Sequence, residues 1–190
     1  ASREMEVTLT GKNCGMEEKA PMCGVPYHAA DTYIAKLVEK GYKVAVCEQT
    51  EDPASAKGIV KREVIKIVTP GTLTSQSMLN EKENNYLACV FASEEAAGLA
   101  YCDISTGELK AGEYRQKDAS GDILNELIRI DAREVIFCEY LRDTPFQRDV
   151  SDLTSAYLSV LPDHYFEEHQ AESVLKRRFH VSSLTGLGLS

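Results

Sequence analysis

The sequence predicts an α/β protein in two successive parts, and three observations carry that reading. Short runs rich in β-branched and aromatic residues alternate with stretches of helical periodicity. A polar, Ser/Asn-rich stretch opening on Pro-Gly, "TPGTLTSQSMLNEKENN" at 69–85, interrupts them. Charge divides at the same place: residues 1–70 hold ten Lys/Arg and ten Asp/Glu, whereas 71–190 hold eleven and twenty, so the second part carries the whole net charge of -9. Parts of such different charge would meet different partners. We therefore place the first part at 1–70, a linker at 71–85 and the second part at 86–190.

In the first part, "MEVTLT" (5–10) alternates as a short strand before Gly11, and 11–26, with three glycines and two prolines, reads as loop. From Ala29 the apolar residues Ala30, Tyr33, Ile34, Leu37 and Val38 fall on one helical stripe. Asp31 in the first turn, Lys36 and Lys40 near the end and Gly41 at the stop agree with the helix dipole and its cap. Val25-Pro26 fixes the entry to this helix, with His28 or a neighbour as cap. "YKVAVCE" (42–48) and "IVKREVIKIVT" (59–69) read as strands able to pair across a polar connection. This β, α, β, β unit is expected to lack elements that would complete its sheet.

In the second part, "YLACVFA", "GLAYCDIS" and "ELKAGEY" (86–92, 98–105, 108–114) read as an antiparallel meander. A helix follows on Ile123, Leu124, Leu127 and Ile128, capped by Ser120 or Asp118, then a buried strand at 134–138. That order resembles a ribonuclease-H-like layer. The stretch 141–166 carries no assignable period. Residues 170–180 read as a helix with Ala171, Val174, Leu175 and Phe179 inward and Lys176, Arg177 and Arg178 in its last turn.

Composition narrows the chemistry. No apolar run approaches the roughly 20 residues of a membrane span, and the first residues lack a signal-peptide pattern, so a cytoplasmic protein is expected. The six cysteines form no CxxC pair, and four lie in apolar strand-like runs, which predicts buried free thiols. A zinc set of Cys14, Cys23, His28 and Cys47 matches no known spacing. Cys23 with His28 lacks an orienting third group for a catalytic dyad, and no phosphate loop of the G-x-x-x-x-G-K-[ST] form is present.

Asp103, leaving an apolar strand before "STGE", has the look of a first metal-binding carboxylate in a two-metal nuclease. The same Asp can equally tether a turn by local hydrogen bonds. The densest positive cluster of the first part, Lys57, Lys61, Arg62 and Lys66, suits either a phosphate-contacting strip or a solvated strand edge.

Beyond these patterns, "VTLTGKN", "PMCGVPYH", "VAVCEQ", "EDPASAKG", "VTPGT" and "YCDISTGEL" closely resemble the bacterial MutS family of DNA mismatch-recognition ATPases, in family order and spacing. The resemblance is most specific from Pro21 to Thr72 and continues more loosely to "LTGLGLS".

The resemblance implies the later portion of a mixed α/β mismatch-binding domain followed by most of a ribonuclease-H-like connector domain without nuclease activity. It implies a fragment. The family's Phe-x-Glu reading motif, its ATPase with ATP and Mg²⁺, and the parts that make its homodimer are not in this sequence. The fragment would contribute mismatched-DNA binding and would couple that site to the ATPase core and to MutL, with no chemistry, metal or cofactor of its own. The alternative is a metal-dependent nuclease around Asp103.

By the same resemblance the DNA-facing residues are Pro21, Met22, Cys23, Gly24, Val25, Pro26 and His28 of one turn, with Lys12 and Lys66 as further contacts. Cys23 stands where the family often has Ala, which implies a packing role. Ser173, Val174 and Arg177 are the implied partner surface.

Overall fold

The computed structural model describes residues 1–15, 17–54, 58–73, 84–94, 96–115 and 118–189. The chain divides into two compact units, Ala1–Asn85 and, from Tyr86, the remainder, the turn Ile104–Thr106 excepted.

The first unit contains two helices, α1 (Ser2–Met5) and α2 (Ala30–Glu39), and four strands, β1 (Thr10–Lys12), β2 (Ala20–Met22), β3 (Val44–Gln49) and β4 (Arg62–Val68). α2 lies where the apolar stripe places it. Its end is closed by Gly41, whose φ of 82° is the left-handed region that glycine enters without strain and whose N–H donates to the Val38 carbonyl at 2.8 Å. The other end corrects an expectation. No side chain caps α2, and His28 lies in a 3₁₀ turn, Tyr27–Ala29, that leads the chain in from Pro26.

The start of the chain differs more. Residues 2–5 coil into α1, which takes in only Met5 of the expected "MEVTLT" strand and which Glu6 ends in the left-handed conformation, and the strand begins only at Thr10. Tertiary contacts select that coil. Lys40 donates to the Glu4 carbonyl at 2.6 Å and pairs with its carboxylate at 3.6 Å, and Lys36 pairs with Glu6 at 3.6 Å. The expected loop 11–26 contains all but the first residue of an antiparallel hairpin, in which Thr10 faces Met22, Gly11 faces Pro21 and Lys12 faces Ala20. Pro21 is tolerated there because the ladder is two strands wide, so its missing N–H can face outward.

β3 and β4 pair antiparallel as expected, with a bulge between Val46 and Cys47. Their core is small. Val38, Val68 and Leu73 are buried, supported by Ile34, Val44 and Val46, while Val64, Ile65 and Ile67 of β4 are exposed. Lys61 pairs with Glu63 at 2.6 Å as their shared face predicts; Lys57 lies outside the described residues. At the near end of the polar 71–85 stretch, Thr69 and Thr72 exchange side-chain bonds in a capping box around Pro70–Thr72. Gly71 and Leu73 are buried there, and Asn85 donates to the Pro70 carbonyl at 3.0 Å. Residues 74–83 lie outside the described residues.

The second unit is a five-stranded sheet ordered β7-β6-β5-β8-β9, from β5 (Tyr86–Ala92), β6 (Ala97–Asp103), β7 (Glu108–Tyr114), β8 (Glu134–Cys138) and β9 (Tyr157–Leu161). The meander β5–β7 is antiparallel, and β8 and β9 add parallel to β5. This is the expected ribonuclease-H-like layer. α3 (Ala119–Ile130) and α4 (Pro145–Leu153) contribute Ile123, Leu127, Ile130 and Val150 to a core shared with Val90, Leu99, Val135 and Phe137.

Asp118, one of the two expected caps, accepts from the Gly121 N–H. Position 121 is glycine for a reason of space: a Cβ there would stand 2.7 Å from Asp118 Oδ1. α4 and β9 fill the stretch that carried no assignable period.

α5 (Glu168–Phe179) forms where expected, but its stripe is not inward. None of its residues is buried, Ala171, Val174 and Phe179 are exposed, and Leu175 alone of the four is half-buried. The described residues place no element over that face.

Candidate nucleic-acid interface

The first unit gathers most of the sequence-predicted contact residues on one hairpin and the turn that leaves it. Thr10 ties the two strands by donating Oγ1 to the Met22 carbonyl at 2.9 Å. Gly11 allows Lys19 to lie close, since a Cβ at 11 would stand 2.9 Å from Lys19 Cβ. Asn13 accepts from the Gly15 N–H at 3.2 Å and starts the turn between the strands, where Gly15 takes a φ of 80°.

Lys12, Pro21 and Met22 are exposed on this hairpin, Cys23 and Val25 are half-buried beneath the following turn, and Gly24, Pro26 and His28 are exposed. The alternation of inward and outward residues over 22–26 pins the turn by two apolar side chains and leaves the intervening backbone bare. Lys66 is not part of this cluster: it stands exposed on β4, opposite Val46.

Gly24 is the informative position. Its φ is not left-handed, and a Cβ built on it meets nothing within 4 Å. Neither its conformation nor packing among the described residues demands glycine there. Charge is balanced along the hairpin and its connection, with exposed Lys12 and Lys19 answered by exposed Glu17 and Glu18. A nucleic acid would therefore be held by shape and apolar contact as much as by counterion release.

The competing chemical sites fare differently. Asp103 ends β6 on the face that carries Leu99 and Tyr101; its side chain is 1% exposed, and its carbonyl accepts from the Gly107 N–H at 2.8 Å. Among the described residues no group of three or more His, Cys, Asp or Glu could hold a metal ion. The six cysteines are free thiols, but only Cys138 is buried. Cys14 and Cys47 are exposed, which corrects the expectation of buried thiols: β3 belongs to a two-stranded ribbon, so an apolar run there does not imply burial. Cys89, half-buried on the sheet face shared with Cys102 and Cys138, has its thiol pushed up to about 11, by burial first and then by those two neighbours.

On α5, Ser173, Val174 and Arg177 are all exposed. Lys176 instead holds Glu172 at 2.7 Å, a hydrogen bond that lowers the Glu172 carboxyl below its ordinary range. Sequence reasoning missed Thr10 and Lys19 in the hairpin, because seven residues separate the strands and no short turn signal marks them.

Comparison with known proteins bears on the whole chain. Residues 1–77 match the family description "MutS domain I" and residues 85–190 match "MutS domain II". The chain belongs to the MutS family. The DNA mismatch repair protein MutS of Alkaliphilus oremlandii is 45% identical over the full chain and 22% of its own length. Those of Lachnoclostridium phytofermentans and Acetivibrio thermocellus are each 48% identical, over 100% and 88% of this chain and 20% and 19% of their own lengths.

The chain thus spans about a fifth of the length of these curated MutS relatives. Among solved structures, the Aquifex aeolicus Ppx/GppA phosphatase aligns with a TM-score of 0.27 and 12% identity over 41% of this chain and 36% of that one. A likeness that slight carries no argument. No helix among the described residues is long and apolar enough to cross a membrane.

Proposed function

We propose that the chain is the DNA-facing and coupling part of a mismatch-recognition protein of the MutS family. The first unit lays its hairpin and the turn Pro21–Pro26 against mismatched double-stranded DNA, with Lys12 on a phosphate. The second unit joins that site to the ATPase core and offers α5 to MutL. No bond is made or broken by this chain. ATP and Mg²⁺ act in the ATPase region of the family, the homodimer forms through other parts of the full-length protein, and the setting is the cytoplasm.

Gly24 carries the DNA-binding reading. A glycine that nothing among the described residues requires, on a bare turn that follows an exposed Met22, supports close approach of an outside body to the backbone. Pro21, Met22 and Pro26 are the rigid and apolar types that lie against unstacked steps in a minor groove. For α5, the support is a helix whose exposed Val174 lies one turn from Arg177 and next to Ser173, a surface fit for a partner's groove or strand edge.

The test is fluorescence anisotropy of the 190-residue chain against a labelled G·T duplex and its matched control, with Mg²⁺ present. Salt-sensitive binding with intact DNA is the expected result. Cleavage that needs Mg²⁺ and disappears in Asp103→Asn would establish a nuclease instead. For the second unit, Val174→Glu should leave melting unchanged and abolish binding to purified MutL; unchanged binding would remove α5 from that role.

A further inference from the structure

We propose that Tyr27 is a further DNA-contacting residue, its ring lying against the sugar and base edges of a duplex held by the turn that precedes it. The proposal rests on the DNA-binding reading above and adds to the contact set the residue between Pro26 and His28.

The side chain of Tyr27 is 90% exposed, the barest aromatic ring among the described residues. It makes no ring contact there, and its hydroxyl makes no hydrogen bond. Every other tyrosine of the first unit is better covered: Tyr33 is half-buried and has Lys36 over its ring at 5.8 Å, and Tyr42 is 46% exposed. Among the described residues of this unit, none packs on or hydrogen-bonds the Tyr27 side chain.

Its backbone, by contrast, is firmly held. Pro26 fixes the approach at φ -59° and ψ 142°, and the Ala29 N–H closes the 3₁₀ turn on the Pro26 carbonyl at 3.0 Å. The turn runs directly into α2, which is anchored through Ile34 and Val38. An aromatic ring on a backbone already ordered loses little freedom when it binds, since only its side-chain torsions remain to be fixed.

Its neighbours decide what the ring would meet. Gly24 leaves the chain bare three residues before it, Met22 is 44% exposed, and His28, next in the chain, is exposed. A tyrosine presents an apolar body and a polar tip, and so can cover a deoxyribose or a base edge while its hydroxyl reaches a phosphate oxygen.

The experiment titrates the labelled G·T duplex with the wild-type chain, Tyr27→Ala, Tyr27→Phe and Lys12→Ala at several salt concentrations, with the melting temperature of each recorded. Tyr27→Ala should bind roughly tenfold more weakly, the scale of one lost aromatic–base contact. Its salt slope should match wild type, because a phenol releases no counterion, whereas Lys12→Ala should lower the slope by about one. Tyr27→Phe should keep most of the affinity.

Wild-type binding that Tyr27→Ala leaves unchanged overturns the role of Tyr27 while the DNA-binding reading stands. A Tyr27→Ala chain that melts earlier assigns the ring to the fold and also overturns it. Failure of the wild-type chain to bind removes both readings.

Discussion

Ser159 donates its hydroxyl to Oε1 of Glu134 at 2.9 Å, inside the second unit, where both side chains are buried. The two are diagonal neighbours on one sheet face, since Ser159 stands opposite Ile136 and Glu134 opposite Tyr157. Removing a hydrogen-bond donor from a buried carboxylate exposes its desolvation cost. Ser159→Ala should therefore lower stability by about 1–3 kcal/mol, read from urea unfolding of the second unit's signal. A loss within experimental error would show that the remaining partners of Glu134 suffice.

Gly24→Ala separates binding from folding. An alanine there meets no atom within 4 Å and suffers no left-handed strain, so the melting temperature should hold or rise slightly. Affinity for the G·T duplex should fall several-fold if the turn backbone touches DNA. Equal affinity would mean the duplex lies elsewhere.

Thiol chemistry should sort the cysteines by environment. At pH 8, iodoacetamide should modify the exposed Cys14 and Cys47 first and leave Cys138 and Cys89 unmodified in the folded chain. Burial holds the Cys89 thiol at about 11, so its labelling should rise only as pH approaches that value. Peptide mass mapping against pH gives the readout, and early labelling of Cys89 would contradict the sheet packing.

A pH effect should come from Glu126. The hydrogen bond from Arg129 Nε at 2.7 Å, aided by that from Tyr101 at 3.0 Å, lowers its carboxyl below the ordinary range. A carboxyl depressed in the folded state contributes stability that is present above its unfolded value, about 4.3, and lost as pH falls through the lower folded value. The stability gap between wild type and Glu126→Gln should thus be constant near neutrality and close below about pH 4. Arg129 is largely exposed, so the gap should also shrink with salt.

The sequence by itself determined α2, the β3–β4 pair, the meander and α3, because each rests on information local to its own residues. Stripe spacing, Gly41 past a helix end and Asp118 before one act within a few residues, whatever lies around them. Motif order also placed the chain in its family. α4 and β9 escaped notice although Thr144 accepts from the Gln147 N–H and Pro145 opens the helix, a start signal readable in "TPFQ".

Only the tertiary structure decided the rest. α1, ahead of the expected strand, is tied down by Lys36 and Lys40, thirty or more residues away. Periodicity marks out the stripe Ala171, Val174, Leu175 and Phe179, but burial is settled by whether another element arrives to cover it, and here all but Leu175 stay exposed. The hairpin that assembles Lys12, Pro21 and Met22, and the empty space around Gly24, are likewise distances between segments, which no local pattern encodes.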